Sequence, residues 1–295
     1  MAGQWRQVIA PFLFMDVVTR ELLSAWDWDP TVLLSLFGFG ALFTAGWWRL
    51  RRAGSAGLAR PWRLILYWLG LLFIFLALVS PIDELGGWLL IFHMVQHIFL
   101  MMLAPPLLML ANPLPFLLWG LPDGARQISG RWLSRLLHRQ SDSRAFLRKV
   151  TGPGVIWLIF ASTLIAWHDP LAYDLALRSP AAHNVEHLTF FYSSLLFWWF
   201  VTGAGPRLHK SFSPLARVAY VATAIPVTMF VGVSIAWAEA PRYTHYTIMP
   251  RIWGISVLQD QAAGGFIMWV AGSMMYALAA IFLAAAWVQR TARPA

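Results

Sequence analysis

The chain has 295 residues, of which 59% are hydrophobic and only 12% are charged, and its mean hydropathy is +0.61. Soluble domains are about 45–50% apolar and about 25% charged, so this composition excludes a water-soluble globule and a disordered chain. The chain contains no cysteine, which excludes disulfides, thiolate metal ligands and thiol redox chemistry. The composition therefore predicts an all-α membrane protein with several spanning helices.

Seven windows of the sequence lack charged residues and are long enough for a spanning helix, which needs about 20 apolar residues. These windows lie between Asp29 and Arg49, Arg63 and Asp83, Glu84 and Asp123, Lys149 and Asp169, Glu186 and Arg207, Arg217 and Glu239, and Asp260 and Arg290. We therefore predict a bundle of seven transmembrane helices.

The third window is nearly long enough for two spans, but prolines interrupt it. Proline removes a backbone donor and disfavours helical geometry in the preceding residue. Because Pro105-Pro106 and the segment 112–115 lie inside the window, we predict one kinked helix over residues 88–111. A short segment on the membrane surface then extends to Leu121.

The charges predict the orientation of the chain. With seven spans, the loops at 49–63, 123–149 and 203–217 and the C-terminus share one side and hold 17 of the 22 Lys and Arg residues. The positive-inside rule makes this side cytoplasmic and the N-terminus external, as in a multi-pass protein of a bacterial inner membrane. The net charge of +9 is therefore a topology signal, and we expect no nucleic-acid partner.

The predicted domain organisation has three parts. Residues 1–30 form an outer interfacial segment without the features of a signal peptide, residues 31–289 form the transmembrane domain, and residues 290–295 form a cytoplasmic tail. Within the domain, the cytoplasmic loop 123–149 combines a basic helix face with an apolar one. This pattern is typical of a helix that lies on anionic lipid, so the bilayer itself is a predicted partner.

Histidines in the outer half of the bundle predict a metal site. His93 and His97 are four residues apart on the third span, and His183 and His187 are a second pair with the same spacing. Residues at i and i+4 share a helix face, and neutral imidazole is the commonest metal-ligand side chain. With His168, which ends the fourth span, these are the candidate ligands. Further residues that could bind the ion or support its ligands are Glu186, Asp260, Gln261, His245, Met101 and Asp83.

These residues leave the identity of the ion open. Imidazole suits zinc, copper, iron and nickel alike, whereas nearby methionines such as Met94, Met101, Met102 and Met268 favour Cu(I). One alternative is a membrane zinc hydrolase in which Asp83, Glu186 or Asp260 is the general base. Separately, residues 183–187 match the H-x-x-E-H pattern of one zinc peptidase class. A bundle that binds haem through two histidines is a further alternative.

Taken together, several short motifs resemble the multi-span, CtaG-type family of caa-type cytochrome c oxidase assembly factors. The resemblance covers about residues 31–289 and depends on these motifs: His93-Met-Val-Gln-His97, Ala104-Pro-Pro-Leu-Leu108 with Asn112-Pro113, Trp167-His168-Asp-Pro170, His183-Asn-Val-Glu-His187, and the segment from Asp260-Gln261 to Trp269.

This resemblance implies a non-enzymatic function in the maturation of a haem–copper oxidase. It implies that copper is handled for the oxidase subunit that carries the copper centre. The orientation predicted from the charges places the site on the side that faces the periplasm. On this view His93, His97, His183 and His187 are the candidate copper ligands, with His168 as a further one. Asp260 and Gln261 match the polar start of the family's last span.

Overall fold

The computed structural model describes residues 17–292, and every regular element in that part of the chain is helical. The first sixteen residues of the predicted outer segment and the last three of the predicted tail lie outside the described residues. Many of the helices begin with proline at their first position, where the missing N–H has no intrahelical partner to lose.

The helices follow one another with short connections. In chain order they are α1 (Val17–Ser24), α2 (Pro30–Arg52), α3 (Pro61–Leu78), α4 (Pro81–Trp88), α5 (Leu90–Ile98), α6 (Ala104–Ala111), α7 (Pro113–Gly120), α8 (Asp123–Leu136), α9 (Asp142–Val150), α10 (Pro153–Trp167), α11 (Pro170–Arg178), α12 (Pro180–Thr202), α13 (Pro214–Ala222), α14 (Ala224–Ala236), α15 (His245–Ile248), α16 (Val257–Phe266) and α17 (Gly272–Thr291). Two π-helical segments, Phe99–Leu103 and Ile267–Ala271, join α5 to α6 and α16 to α17.

Five helical runs in the described chain are long and apolar enough to cross a membrane. They are α2, α3, the run Leu90–Ala111, the run Pro214–Ala236 and the run Val257–Thr291. The bent pair of α9 and α10, which meet at 47°, makes a sixth if it is counted as one span. The protein is therefore an all-helical membrane protein with five or six candidate spans.

The fifth predicted window, which starts at Glu186, overlaps α12, a helix of 23 residues that is not among these candidates. Its first turns carry His183, Asn184, Glu186 and His187, and these polar side chains lower its hydropathy. Three of these side chains, those of His183, Glu186 and His187, are ones that the sequence predicts to bind or support a metal.

The third window contains one interrupted helical run, as the prolines predict. The run ends at Asn112, whose φ of 53° lies in the left-handed region that asparagine tolerates. The segment that follows is α7, and it packs closely against α2. A Cβ on Gly46 would overlap the carbonyl oxygen of Phe116, and a Cβ on Gly120 would overlap that of Leu42, so both glycines are needed for this approach.

The predicted amphipathic segment at 123–149 contains two helices, α8 and α9. Neither helix has a buried residue in the structure. Ile128 and Trp132, on the apolar face of α8, are 61% and 66% exposed. An apolar face of this kind, with arginines beside it, is suited to the surface of a bilayer.

A cross-link inside the bundle joins the two helices that carry the histidine pairs. The π-helical segment below α5 leaves the Met101 carbonyl oxygen free to accept hydrogen bonds from α12. It accepts one from the Ser194 hydroxyl and one from Trp198 Nε1, the latter at 3.3 Å. All three residues are buried, so these bonds fix how α12 lies against the run that contains α5.

Candidate metal centre

The position of α5 is set by a carboxylate from another helix. The backbone is extended at Leu89, so α5 starts anew at Leu90 and its first N–H groups need outside acceptors. The Asp260 carboxylate of α16 supplies two acceptors. One of its oxygens accepts a hydrogen bond from Leu90 N at 2.9 Å, and the other accepts one from Ile91 N at 3.1 Å. This cap holds the first turn of α5, and therefore His93, in place.

The second histidine pair lies in the first turns of α12. The Ser179 side chain accepts a hydrogen bond from Ala182 N at 3.4 Å, and Pro180 occupies the first helical position. These two features start the helix just before His183. Glu186 and His187 follow within the next turn, so all three side chains share the end of α12 that lies nearest α5.

The structure brings the two pairs together around Glu186. His93 Nε2 lies 3.6 Å from one carboxylate oxygen and His97 Nε2 lies 3.5 Å from the other. One ligand atom from each of His93, His183, Glu186 and His187 can be chosen so that all four lie within 4.8 Å of one another. We call His93, His97, His168, His183, Glu186 and His187 the histidine cluster.

The histidine cluster is rich in buried polar atoms that have no partner. Nine of its side-chain nitrogen and oxygen atoms are buried without a hydrogen bond to any described residue, including both oxygens of Glu186. Buried polar groups in proteins are nearly always hydrogen-bonded, because an unmet donor or acceptor costs free energy. So many unmet atoms facing one another point to a ligand that satisfies them together.

A metal cation fits this donor set. Imidazole nitrogen and carboxylate oxygen bind divalent metals at about 2.0–2.2 Å, so ligand atoms on one ion lie at most about 4.4 Å apart. The four atoms within 4.8 Å would need only a small inward movement to reach that spacing. A cation would also offset the cost of burying the Glu186 carboxylate, which forms no ion pair with a Lys or Arg of the described residues.

Two further histidines lie on the deeper side of the cluster. The ring centroids of His97 and His168 are 5.6 Å apart, and Phe190 packs against both rings. His168 Nδ1 donates to the Leu164 carbonyl oxygen at 2.7 Å, which leaves Nε2 unprotonated in the neutral ring and able to bind an ion. His183 is the half-buried member of the cluster, so the site opens towards the start of α12.

Buried tyrosines form one wall of the site, and the sequence reasoning missed them. The Tyr173 ring lies 4.9 Å from that of His93, and its hydroxyl is 3.4 Å from the Tyr246 hydroxyl. Tyr246 donates to the Gly86 carbonyl oxygen at 2.7 Å, and Tyr243 donates to that of His168 at 3.2 Å. The position of Tyr243 and Tyr246 on either side of the candidate His245 was the available signal in the sequence.

Other predicted residues lie near the cluster but have structural partners instead. Asp260 caps α5, and Gln261 accepts from Arg242 N at 2.7 Å and donates to carbonyl oxygens of the loop before it. His245 Nε2 donates to the Gly87 carbonyl oxygen at 2.9 Å. Met101 contributes its carbonyl to the cross-link with α12. These contacts orient the elements that carry the ligands.

Asp83 lies on α4, outside the cluster, and accepts a hydrogen bond from Gln96 Nε2 at 2.5 Å. Burial, assisted by the nearby Asp27 and Glu84 carboxylates, raises the pKa of Asp83 to about 6, although the bond from Gln96 opposes this shift. Asp83 therefore belongs to a separate acidic pocket that Trp26, Asp27 and Glu84 also line.

The fold and the site define a helical membrane protein with a buried histidine–carboxylate cluster between two of its helices. The chain belongs to the cytochrome c oxidase caa3 assembly factor (Caa3_CtaG) family, whose model matches residues 41–290. The predicted resemblance is thereby confirmed.

Curated relatives of the chain are mycobacterial. It is 26% identical over 283 residues to an uncharacterized protein of Mycobacterium leprae and, to the same extent, to uncharacterized proteins of Mycobacterium bovis and Mycobacterium tuberculosis. These alignments cover 93% of the chain but only 41% of each relative, so the chain spans about two-fifths of their length. No solved structure matches the chain.

Proposed function

We propose that the chain binds copper in the histidine cluster and delivers it to the copper centre of a haem–copper cytochrome c oxidase. The observation that carries this proposal is the convergence of nine unpartnered nitrogen and oxygen atoms from six residues, which lie on α5, on α12 and at the end of α10. The family supplies the biological context, because cytochrome c oxidases need copper and this family assists their assembly.

The donor set supports binding without tight retention. His93, His183 and His187 would hold the ion with Glu186, and His97 and His168 would offer a deeper pair of nitrogens. Imidazole is a borderline ligand, and the chain has no thiolate that would hold Cu(I) firmly. A site of this kind suits a protein that passes its cargo on.

We propose that the domain has seven spans, with the N-terminus outside and the cluster facing the periplasm. This count treats α12 as a span and, of the bent pair, places α10 in the membrane and the basic helix α9 at its cytoplasmic surface. It is supported by the Lys and Arg residues, 17 of which fall on one side under this arrangement. Copper would then reach the cluster from the periplasm through the end that His183 occupies.

The zinc hydrolase alternative has little support from the contacts. A hydrolase needs a carboxylate near the metal that is free to accept a proton from water. Both oxygens of Asp260 are bonded to the backbone of α5, and Asp83 is bonded to Gln96. Of the three predicted general bases, Glu186 alone lies within the cluster, where it faces histidine nitrogens.

Metal analysis of the purified full chain tests the proposal. The wild type should carry copper after growth with copper, and the His93→Ala, His187→Ala double variant should lose it. His138→Ala is the matched control, since this histidine is exposed on the opposite side. Stoichiometric zinc in place of copper would favour the hydrolase, and a haem absorption band would favour the haem protein; either result would refute copper binding.

Delivery is tested separately in cells that lack the chain. We expect their oxidase polypeptides to be present but deficient in copper, and expression of the wild type to restore the metal. The double variant should fail to restore it. A fully metallated oxidase in the absence of the chain would overturn the delivery step while leaving the binding result intact.

A further inference from the structure

A basic cavity lies at the opposite end of α12 from the histidine cluster. It has a volume of about 440 Å³ and is enclosed by the last turn of α12, the loop 203–213 and the first turn of α13. Arg207, Lys210 and Arg217 line it, together with His209, and no acidic residue of the described chain does. The cavity therefore concentrates positive charge.

The glycine at position 203 leaves space for the guanidinium group of Arg217. Gly203 has a φ of 69°, and a Cβ there would lie 2.6 Å from Arg217 Nη2, so glycine makes room for the guanidinium. Arg217 Nη1 donates to the Thr202 carbonyl oxygen at 3.4 Å. Its Nε is buried and has no hydrogen-bond partner among the described residues, which leaves a donor available to an anion.

His209 does not add to the charge of the cavity near neutral pH. Burial, assisted by the nearby Arg148 and Arg144 guanidinium groups, lowers the pKa of His209 below its ordinary value, although its contact with Thr151 opposes this. Its Nε2 lies 3.0 Å from the Thr151 hydroxyl. The positive charge comes from Arg207, Lys210 and Arg217.

An apolar groove begins where the basic cavity ends. It has a volume of about 620 Å³, is open along one side, and runs between α10 and α13. Trp157, Leu158, Ala219 and Tyr220 line it, and Phe212 lines both the groove and the cavity. Trp157 Nε1 and the Tyr220 hydroxyl already donate to protein oxygens, at 2.8 and 3.1 Å, so the groove surface is apolar in its chemistry.

We propose that the cavity and the groove together bind one anionic phospholipid. The phosphate of the headgroup would lie in the basic cavity, where guanidinium and ammonium groups bind phosphate through charge-assisted hydrogen bonds. An acyl chain would lie in the adjoining groove, past Phe212. The basic cavity adjoins the apolar groove, as the charged headgroup of a phospholipid adjoins its acyl chains. A free phosphate has no apolar part that could occupy the groove.

Native mass spectrometry of the detergent-purified full chain tests this site. We expect phosphatidylglycerol to remain bound and zwitterionic phosphatidylcholine to be lost. Replacing both exposed cations, as Arg207→Gln with Lys210→Gln, should weaken phosphatidylglycerol binding by about 30-fold. The matched control is Arg131→Gln with Arg135→Gln, which removes two exposed cations of α8 outside the cavity. It should bind the lipid as the wild type does.

A second pair of variants tests the acyl-chain groove. Ala219→Trp fills the groove and should weaken lipid binding, whereas Ala286→Trp, at an exposed position elsewhere, should not. Equal binding by the wild type and the cavity variant would overturn the proposal, as would an equal loss in the α8 control. Complete displacement by millimolar inorganic phosphate would also overturn it, because the site would then recognise phosphate alone.

Discussion

Replacing Glu186 with glutamine is the sharpest test of the histidine cluster. The substitution keeps the size and one acceptor oxygen of the side chain but removes its negative charge. The carboxylate oxygens lie 3.5 and 3.6 Å from His97 Nε2 and His93 Nε2. An ion bound by these histidines would therefore lie next to Glu186, and its affinity should depend on that charge.

The expected effect follows from Coulomb's law. Two unit charges about 4 Å apart attract by about 4 kcal/mol at an effective dielectric constant of about 20. The glutamine oxygen remains a weaker ligand, so we expect about half of this to be lost. A loss of about 2 kcal/mol weakens Cu(I) binding by about 30-fold. The metal-free variant should melt no lower than the metal-free wild type, because a buried uncompensated charge has been removed.

The assay is a competition titration of Cu(I) against a colorimetric chelator, combined with thermal unfolding of the metal-free protein. Glu239→Gln is the matched control, since it removes an exposed carboxylate outside the cluster and should change neither quantity. Unchanged copper affinity in Glu186→Gln would refute direct contact with the ion. A drop in both affinity and metal-free stability would instead make Glu186 a structural residue.

Three further predictions concern the surroundings of the site. The pKa of Asp83 is raised to about 6 from 3.8, so the folded state favours its protonated form. The free energy of unfolding should then fall by up to about 3 kcal/mol as the pH rises from about 4 to 6, and Asp83→Asn should abolish this slope. Asp260→Asn leaves one N–H of α5 without its acceptor and should cost about 1–3 kcal/mol of stability, measured by thermal unfolding. Gly46→Ala overlaps the Phe116 carbonyl and should lower stability by about 1–3 kcal/mol.

Each of these predictions has a result that contradicts it. Glu84→Gln removes one of the two carboxylates that help to raise the pKa of Asp83, so it should reduce the pH slope only in part. Complete loss of the slope in Glu84→Gln would show that Asp83 is not its source. Gly130→Ala, where a Cβ meets nothing within 4 Å, should be neutral or stabilising, in contrast to Gly46→Ala. Wild-type melting of Asp260→Asn would mean that α5 does not need its cap.

The sequence predicted the histidine pairs because their geometry is local. Residues four apart on one helix share a face whatever the rest of the fold does, so His93 with His97 and His183 with His187 could be grouped from spacing alone. Which faces meet depends on contacts distant in sequence. The central position of Glu186 follows from such contacts, and it was predicted only as an additional candidate.

The sequence predicted at which end of the bundle a polar residue lies better than it predicted which neighbour its side chain contacts. Asp260, Gln261 and His245 lie at the same end of the molecule as the cluster, but their side chains bond to backbone groups of neighbouring segments. Uncharged windows also misplace helix ends where a functional carboxylate lies inside the helix. The window that starts at Glu186 omits the first six residues of α12, which begins at Pro180.

The hydrogen bonds from Ser194 and Trp198 to the Met101 carbonyl oxygen affect how an ion would enter and leave the histidine cluster. They tie α12 to the α5 run on the inner side of the cluster, so the two helices cannot separate there without breaking buried hydrogen bonds. An ion in the cluster would have a closed end and an open end, with His183 at the open one. If the chain delivers an ion as proposed, the ion would leave past His183, and a receiving protein would have to approach the start of α12.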